Sequence, residues 1–406
     1  MSKKYTIQYS NLNNIIGGQT PITSNITNTT IDIHNNTDNI LIALGGNHSI
    51  LIKKDTEENK IFACGKNSFG QLGLGNIEEK TMFTILTNPL PNITTKQVVC
   101  GDSHTLIITE VGKVFACGNN SNGQLGLGDI NNRNIFTEVP PLPDGKTPKQ
   151  VVAGLGHTII LTEDNIVFAC GLNEHGQLGM NHNNNRNTFI NVPFPGINVP
   201  KQVVAGRNHT MILTDDGTVF ACGANEYGQL GLGHTNMINT FTQVPALPGG
   251  KVAKQVIAGD YHTMILAEDG TVFACGANSY GQLGIGNFDN KNNFVEVSNP
   301  NDLVKQVIAG GYHTMIITEN GRVSACGNNS YGQLGIGNFD MMNTFTQVPP
   351  LPGGKVAKQV ITGDMHTMIL TEDMLFACGR NSNGQLGLRD RNNRANIQRV
   401  MPLVNI

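Results

Sequence analysis

Tryptophan is absent from this chain of 406 residues, and charged residues make up only 14% of it. The formal net charge is −3, so the composition provides no basic surface for nucleic acid or for an anionic membrane. No run of eighteen apolar residues occurs, which excludes a membrane-spanning helix. The N-terminal sequence MSKKYTIQYSNLNN lacks the apolar core of a signal peptide, and we therefore expect an intracellular protein.

The chain is instead rich in internal repetition. The motif G-x-x-H-[ST] occurs seven times, and each copy is followed by a Cys-Gly pair and then by x-N-x-x-G-Q-L-G. Successive histidines are 51 to 56 residues apart, a period typical of architectures in which each copy is one structural unit. The histidines of the seven copies are His48, His104, His157, His209, His262, His313 and His366.

The fifth copy shows how one unit is predicted to fold. Its short runs rich in β-branched residues, separated by Gly-rich segments, are 254–259, 262–267, 271–276 and 293–297. No segment has a sustained 3.6-residue apolar period, so helices should be absent or single turns. Four short strands in each of seven units predict an all-β fold, a seven-bladed β-propeller of four-stranded antiparallel blades. We expect the propeller to span residues 40–406, after a polar Asn/Thr-rich segment at 1–39.

The repeat resembles a known family. The string V-x-A-G-x-x-H-T-x-x-L-T-x-D-G-x-V-F-x-x-G-x-N-x-x-G-Q-L-G is similar to the repeat of the RCC1 (regulator of chromosome condensation) superfamily, over about residues 40–401. The WD-type propeller repeat lacks G-Q-L-G. The resemblance implies that the G-x-x-H turns contact a partner, because the family's guanine-nucleotide exchange factor uses these turns to contact its small GTPase. Within the similar turn Gly101–Thr105, Asp102 is the best single candidate.

Three activities of the family depend on features that this sequence lacks. Exchange activity in the family also depends on an inserted hairpin wedge, and the repeat lengths here leave nothing wedge-sized. The plant UV-B photoreceptor branch uses clustered tryptophans as its chromophore, and this chain has none. The basic tail through which the chromatin-bound member reaches DNA and histones is missing as well.

The constant residues of the repeat are predicted to be structural. One histidine per blade places neighbouring rings too far apart for a shared zinc ion, so we predict no metal site. Each histidine should instead begin the second strand and bond to the adjoining Gly-turn backbone. In G-Q-L-G, the amide should tie the loop and the leucine should fill the gap between blades. The eight cysteines, including Cys100 outside the repeated series, are predicted to be buried free thiols in a reducing compartment.

The variable positions of the repeat are the candidates for partner binding, because repeat proteins present variable residues from loops of one face. One set lies between the Gly and the His of the motif, and a second set precedes G-Q-L-G. Alternatives remain open: the aspartates could accept turn N–H bonds, and the tyrosines could pack on the next blade. The predicted partner-binding residues are Asp102, Arg207, Asp260, Tyr261, Tyr312, Asp364 and Met365 in the first set, and Tyr227, Tyr280 and Tyr331 in the second.

The closure of the ring is also left open by the sequence. Strand-like runs occur at 5–9, 30–33 and 397–400. Either of the last two could complete a blade as its outer strand, and the other would then add an edge strand, cover the ring or pair with another molecule.

These observations favour an interaction module over an enzyme. No G-x-S-x-G motif occurs, the G-x-G fragments open no helix, and acidic pairs such as Glu163-Asp164 recur as hairpin turns. We predict no catalytic residues and no cofactor. The expected function is a non-enzymatic protein-interaction or assembly scaffold, possible self-association included, with an unidentified protein partner. The alternative is a guanine-nucleotide exchange factor for a Ran-like small GTPase.

Overall fold

The computed structural model describes residues 26–27, 30–31, 40–54, 59–87, 94–195, 198–297 and 303–402. These residues form seven antiparallel sheets in which four consecutive strands pair in chain order, which confirms the predicted seven-bladed propeller. No helix in this part of the chain is long and apolar enough to cross a membrane. The predicted single turns are three 3₁₀ segments, Pro143–Gly145, Pro248–Gly250 and Pro352–Gly354.

The strands, numbered in chain order, have the following bounds. Two short strands come first, β1 Ile26–Thr27 and β2 Thr30–Ile31. Blades one to three are β3 Ile40–Leu44, β4 His48–Lys53, β5 Lys60–Gly65, β6 Lys80–Ile85; β7 Thr95–Cys100, β8 His104–Thr109, β9 Val114–Gly118, β10 Arg133–Glu138; β11 Pro148–Ala153, β12 His157–Thr162, β13 Val167–Gly171, β14 Arg186–Asn191. Blades four and five are β15 Pro200–Ala205, β16 His209–Thr214, β17 Val219–Gly223, β18 Ile238–Gln243; β19 Ala253–Ala258, β20 His262–Ala267, β21 Val272–Gly276, β22 Lys291–Glu296. Blades six and seven are β23 Val304–Ala309, β24 His313–Thr318, β25 Val323–Gly327, β26 Met342–Gln347; β27 Gln359–Thr362, β28 His366–Leu370, β29 Met374–Gly379, β30 Arg394–Pro402.

Burial along the strands follows from their position in the blade. Every residue of the second strand β8 is buried, because neighbouring blades cover both faces of the sheet. The outer strand β10 buries only Phe136 and leaves its other residues half-buried or exposed. The core therefore lies between blades. Leu72 of G-Q-L-G, fully buried among Leu41 of its own blade and Val98 of the next, fills such a gap as predicted.

The G-Q-L-G loop is held by amide side chains. Gln71 Oε1 accepts a hydrogen bond from the backbone N–H of Phe69 at 3.0 Å, and Asn67 Oδ1 accepts one from the N–H of Leu72 at 3.0 Å. Gly70, at φ +85°, packs so closely on Asn134 of the next blade that a side chain there would overlap its backbone. The predicted role of the glutamine is confirmed, and the loop also covers the neighbouring blade.

The seventh blade is completed from its own end of the chain. Strand β30 pairs with β29 as the outer strand, so the run at 397–400 is the one that completes a blade. Strand β2 adds to the inner strand β3, with Thr30 opposite Ala43, and β1 pairs with β2. The first sheet thus has six strands, two of them short. The strand-like run at 5–9 lies outside the described residues, as does most of the segment 1–39.

Candidate functional site

A chain of three polar groups joins every pair of neighbouring blades. His209 Nε2 donates a hydrogen bond to Thr263 Oγ1 of the next blade at 3.1 Å, and this hydroxyl donates to the carbonyl oxygen of Gln229 at 2.7 Å. The same arrangement occurs seven times, with Ser49 in place of threonine where blade seven meets blade one. We call each set an interblade relay.

The relays correct one prediction. Each histidine does begin the second strand, but its side chain bonds to a hydroxyl of the next blade and not to the adjoining Gly-turn backbone. The glycine of G-x-x-H is needed for a different reason. A Cβ on Gly259 would overlap the imidazole of His262, so the ring and a side chain cannot both occupy this space. The G-x-x-H motif alone does not show which group the histidine bonds, because the partner hydroxyl lies about one repeat away in the sequence.

The relays also determine the protonation of the histidines. The Thr263 hydroxyl donates its single hydrogen to the Gln229 carbonyl, so in its contact with His209 it can only accept. The ring proton of the neutral His209 is therefore on Nε2. The Nδ1 atoms of all seven rings are buried without a hydrogen-bond partner among the described residues. Burial lowers the pKa of His209 from 6.5 to about 3, and that of His104 to about 4. The seven rings are neutral structural groups.

The cysteines are structural as well. All eight are buried and free, as predicted. The Cys275 thiol donates to the same Gln229 carbonyl that receives the relay hydroxyl, at 3.5 Å. Burial raises the pKa of Cys275 well above its ordinary value, so the reactive thiolate is suppressed. No group of three or more His, Cys, Asp or Glu side chains that could hold a metal ion occurs among the residues that the structure describes.

The variable residues converge on one end of the ring. The G-x-x-H turns and the loops that contain G-Q-L-G both follow strand ends on this side, because β4 begins at His48, opposite the end of β5 at Gly65. We call this end the loop face, and the opposite end, with the turns between second and third strands, the hairpin face. At the centre of the loop face, the turns surround a cavity of about 50 Å³, and we call it the mouth. The first variable residues of all seven turns line it: Gly46, Asp102, Leu155, Arg207, Asp260, Gly311 and Asp364.

The mouth carries three carboxyl groups and one guanidinium. Arg207 forms an ion pair with Asp260 at 3.5 Å between Nη1 and Oδ2. Burial, opposed by Arg207 and reinforced by Asp102, raises the pKa of Asp260 from 3.8 to about 6. Burial and the like charges of Asp260 and Asp102 raise the pKa of Asp364 well above its ordinary value. The aspartates therefore face a shared cavity, and among the described residues no backbone N–H bonds to their side chains in the way that the turn alternative requires.

Tyrosines from both predicted sets meet beside the mouth. Tyr261 contacts Tyr227 edge-to-face, with ring centroids 5.4 Å apart, and lies 5.5 Å from the ring of Tyr312. Tyr280 in turn contacts Tyr312 at 5.4 Å. The guanidinium of Arg207 lies 5.8 Å from the Tyr261 ring and so links the aromatic cluster to the charged mouth. Each pre-loop tyrosine packs on a residue of the next blade and stays partly exposed, so the packing alternative is confirmed and partner binding stays a prediction.

Two predicted residues lie apart from this cluster. Tyr331 stacks with Arg380 of the seventh blade at 5.3 Å. The Met365 sulfur accepts a hydrogen bond from the Gln333 amide at 3.3 Å. Both are half-buried on the loop face. Arg380 was not predicted, although its place directly after the Cys-Gly pair of a variable loop was a usable signal.

Comparisons with known proteins agree with this geometry. The family model described as the RCC1-like domain matches residues 16–301, and models of the regulator of chromosome condensation (RCC1) repeat match residues 304–333 and 320–370. The ultraviolet-B receptor of Arabidopsis thaliana is 34% identical over 300 residues, which cover 73% of this chain and 67% of that protein.

Two further proteins illustrate the range of relatives. The secretion-regulating guanine nucleotide exchange factor of Bos taurus is 30% identical over 355 residues, covering 80% of this chain and 75% of that protein. The crystal structure of Prp20p from Saccharomyces cerevisiae superimposes with a TM-score of 0.76 at 21% identity, covering 86% of this chain and 87% of that chain. That protein's study describes its binding to Gsp1p and histones. Its similarity to this chain supports the fold.

Proposed function

Since this chain belongs to the RCC1 family, which its repeats match from residue 16 to residue 370, we propose that it is a non-catalytic scaffold that binds a protein partner through the loop face. One observation carries the proposal. The polar groups that recur in every blade are used internally by the relays, whereas the groups that vary between blades meet at the mouth and in the tyrosine cluster.

The chemistry of the loop face fits protein binding. Tyr227 is 38% exposed, and Tyr261, Tyr280 and Tyr312 are half-buried, so the cluster presents ring edges and hydroxyls from a fixed platform. Tyrosine and arginine are enriched among the residues that dominate binding energy at interfaces. Since Tyr261 already packs against two other rings, a partner would bind it at a small cost in side-chain entropy.

The proposal is tested by capture from the native source. The immobilised full chain should retain a specific protein, identified by mass spectrometry, and the double variant Tyr261→Ala/Tyr312→Ala should retain at least about tenfold less of it. The matched control is Leu303→Ala/Val356→Ala on the hairpin face, where both side chains are about two-thirds exposed (66% and 67%). Far-UV circular dichroism verifies that the variants are folded. Equal capture by the wild-type chain and the tyrosine variant would contradict the proposal.

A second candidate function is nucleotide exchange on a Ran-like GTPase. The 30% identity to an exchange factor favours it, as does the position of Asp102 in the mouth. A release assay with a fluorescent GDP analogue separates the two functions. The scaffold proposal predicts no acceleration by this chain; acceleration that is lost in Asp102→Ala would establish exchange activity in its place.

A further inference from the structure

The charged side chains are not evenly distributed around the mouth. Arg207, Asp260 and Gly311 belong to blades four, five and six, whereas Asp364 and Asp102 belong to blades seven and two and flank Gly46 of blade one. A Cβ placed on Gly46 would lie 2.5 Å from Asp102 Oδ1 and 3.0 Å from Asp364 Oδ2. The two carboxyl groups therefore approach Gly46 from either side, so closely that only a glycine fits between them.

This part of the mouth has no cation of its own. The guanidinium in the cavity, that of Arg207, is paired with Asp260, and none of the ion pairs formed between described residues includes Asp102 or Asp364. The Ser103 hydroxyl donates to Asp102 Oδ2 at 2.7 Å and leaves Oδ1 turned toward Gly46. Arg207 and Arg380 act on Asp364 only at longer range, and two like-charged carboxyl groups without a direct ion-pair partner are an unfavourable arrangement for the free protein.

A second observation points to a missing hydrogen-bond partner in the same cavity. The side chain of Thr362 is completely buried and lines the mouth, and its Oγ1 atom has no hydrogen-bond partner among the described residues. The equivalent positions in blades three to six are alanines, so this hydroxyl is a departure from the repeat. Native proteins leave few buried hydroxyls unpaired, and such a group in a cavity indicates something that completes it.

We propose that the mouth receives the guanidinium of an arginine side chain from a basic peptide segment of the partner, seated over Gly46 between Asp102 and Asp364. This proposal rests on the proposed function, because it names the chemistry that the loop face recognises. A guanidinium presents donors along two edges and can bond to two carboxylates at once, and the unpaired Thr362 hydroxyl belongs to the same cavity. The cavity of about 50 Å³ admits a side-chain head group but no folded element.

The electrostatics of the mouth agree with a cationic ligand. The carboxyl of Asp364 faces Asp102 and Asp260 as like charges and Arg207 and Arg380 as opposite charges, and the balance with burial raises its pKa. A bound guanidinium would reverse this shift, so binding should be coupled to proton release from the mouth.

The test uses the full chain and a fluorescein-labelled nonapeptide of arginine, followed by fluorescence anisotropy. The wild-type chain should bind it, and Asp102→Asn/Asp364→Asn should bind it at least about tenfold more weakly, because the isosteric amides remove only charge. The matched control is Asp269→Asn/Asp373→Asn, which removes the same charge from the hairpin face. A nonapeptide of citrulline, which keeps the shape without the charge, should not bind the wild-type chain. Absence of binding, an equal loss in the control, or equal binding of citrulline would overturn the proposal.

The captured partner separates this proposal from the proposed function. If Asp102→Asn/Asp364→Asn still captures the partner while Tyr261→Ala/Tyr312→Ala does not, the scaffold function stands and the arginine site is wrong. If the wild-type chain captures no partner through the loop face, the proposed function fails whatever the peptide does.

Discussion

Lowering the pH from 7 to 5.5 is expected to reduce the free energy of unfolding of this chain by about 7 kcal/mol. The relay histidines remain neutral in the folded protein down to a pH of about 4 or 3, whereas in the unfolded chain they take up protons below about pH 6.5. Their contribution is therefore fully present above pH 6.5 and is lost as the pH falls toward 4. Together, the seven histidines lower the free energy of unfolding by about 10 kcal/mol for each pH unit in this range.

The carboxyl groups of the mouth oppose this effect only in part. The raised pKa of Asp260 and of Asp364 favours the folded state as the pH falls, but these are two groups against seven. Since the stability of a typical domain is about 5–15 kcal/mol, the chain should be largely unfolded near pH 5.

Urea unfolding followed by far-UV circular dichroism at pH 7, 6 and 5.5 measures the loss, and its slope with pH gives the number of protons taken up, about five at pH 5.5. His175→Ala, which alters a half-buried loop histidine outside the relays, is the control, and the steep dependence on pH should persist in it because all seven relay histidines remain. A slope of less than one proton would show that the relay histidines are not neutral groups in the fold.

Thr263→Val should destabilise the propeller by about 2–4 kcal/mol, because it leaves the buried Nε2–H of His209 without a partner and leaves the Gln229 carbonyl with only the weaker bond from the Cys275 thiol. The hydroxyl that it removes accepts from His209 Nε2 and donates to the Gln229 carbonyl, and the valine methyl can do neither. Thr263→Ser is the matched control, since it keeps the hydroxyl and copies Ser49, which serves the same role where the ring closes. Thr263→Ser should lower the free energy of unfolding by about 1 kcal/mol, because it removes one buried methyl group.

The difference in stability between the two variants measures the contribution of the relay's hydrogen bonds. Urea midpoints at pH 7.5, with unchanged slopes against urea concentration, give the two changes in stability. Loss of the methyl group affects only the serine variant, so equal or greater destabilisation by serine would mean that packing, and not hydrogen bonding, joins the blades at this position.

The propeller itself could be predicted because the information is local and repeated. In the fifth unit, the runs at 254–259 and 262–267 correspond to β19 and β20 within a residue, since β-branched runs and turn residues determine strand bounds within a unit. The free cysteines followed from their single occurrence per blade. The histidine partner could not be predicted, because the hydroxyl that it bonds lies in the next blade and the local alternative was equally consistent with the motif.

The arrangement of the residues in the mouth could not be predicted from the sequence for a similar reason. Asp102 and Asp364 are separated by most of the chain and become neighbours only because the ring closes between blades seven and one. The sequence indicated that each turn presents a variable residue, and this was enough to select Asp102, Asp260 and Asp364 individually. Their position around Gly46 depends on the order of blades around the ring and on a glycine that, in the repeat pattern, is one more variable residue.

Hydrogen–deuterium exchange of the full chain, with and without its captured partner, tests most directly whether the partner binds the loop face. We predict that the partner slows exchange in the loop-face turns, such as 260–261 and 311–312, and leaves exchange in the hairpin-face turns at 268–271 and 319–322 unchanged. Slowed exchange confined to the hairpin face, with the loop-face turns unaffected, would contradict it.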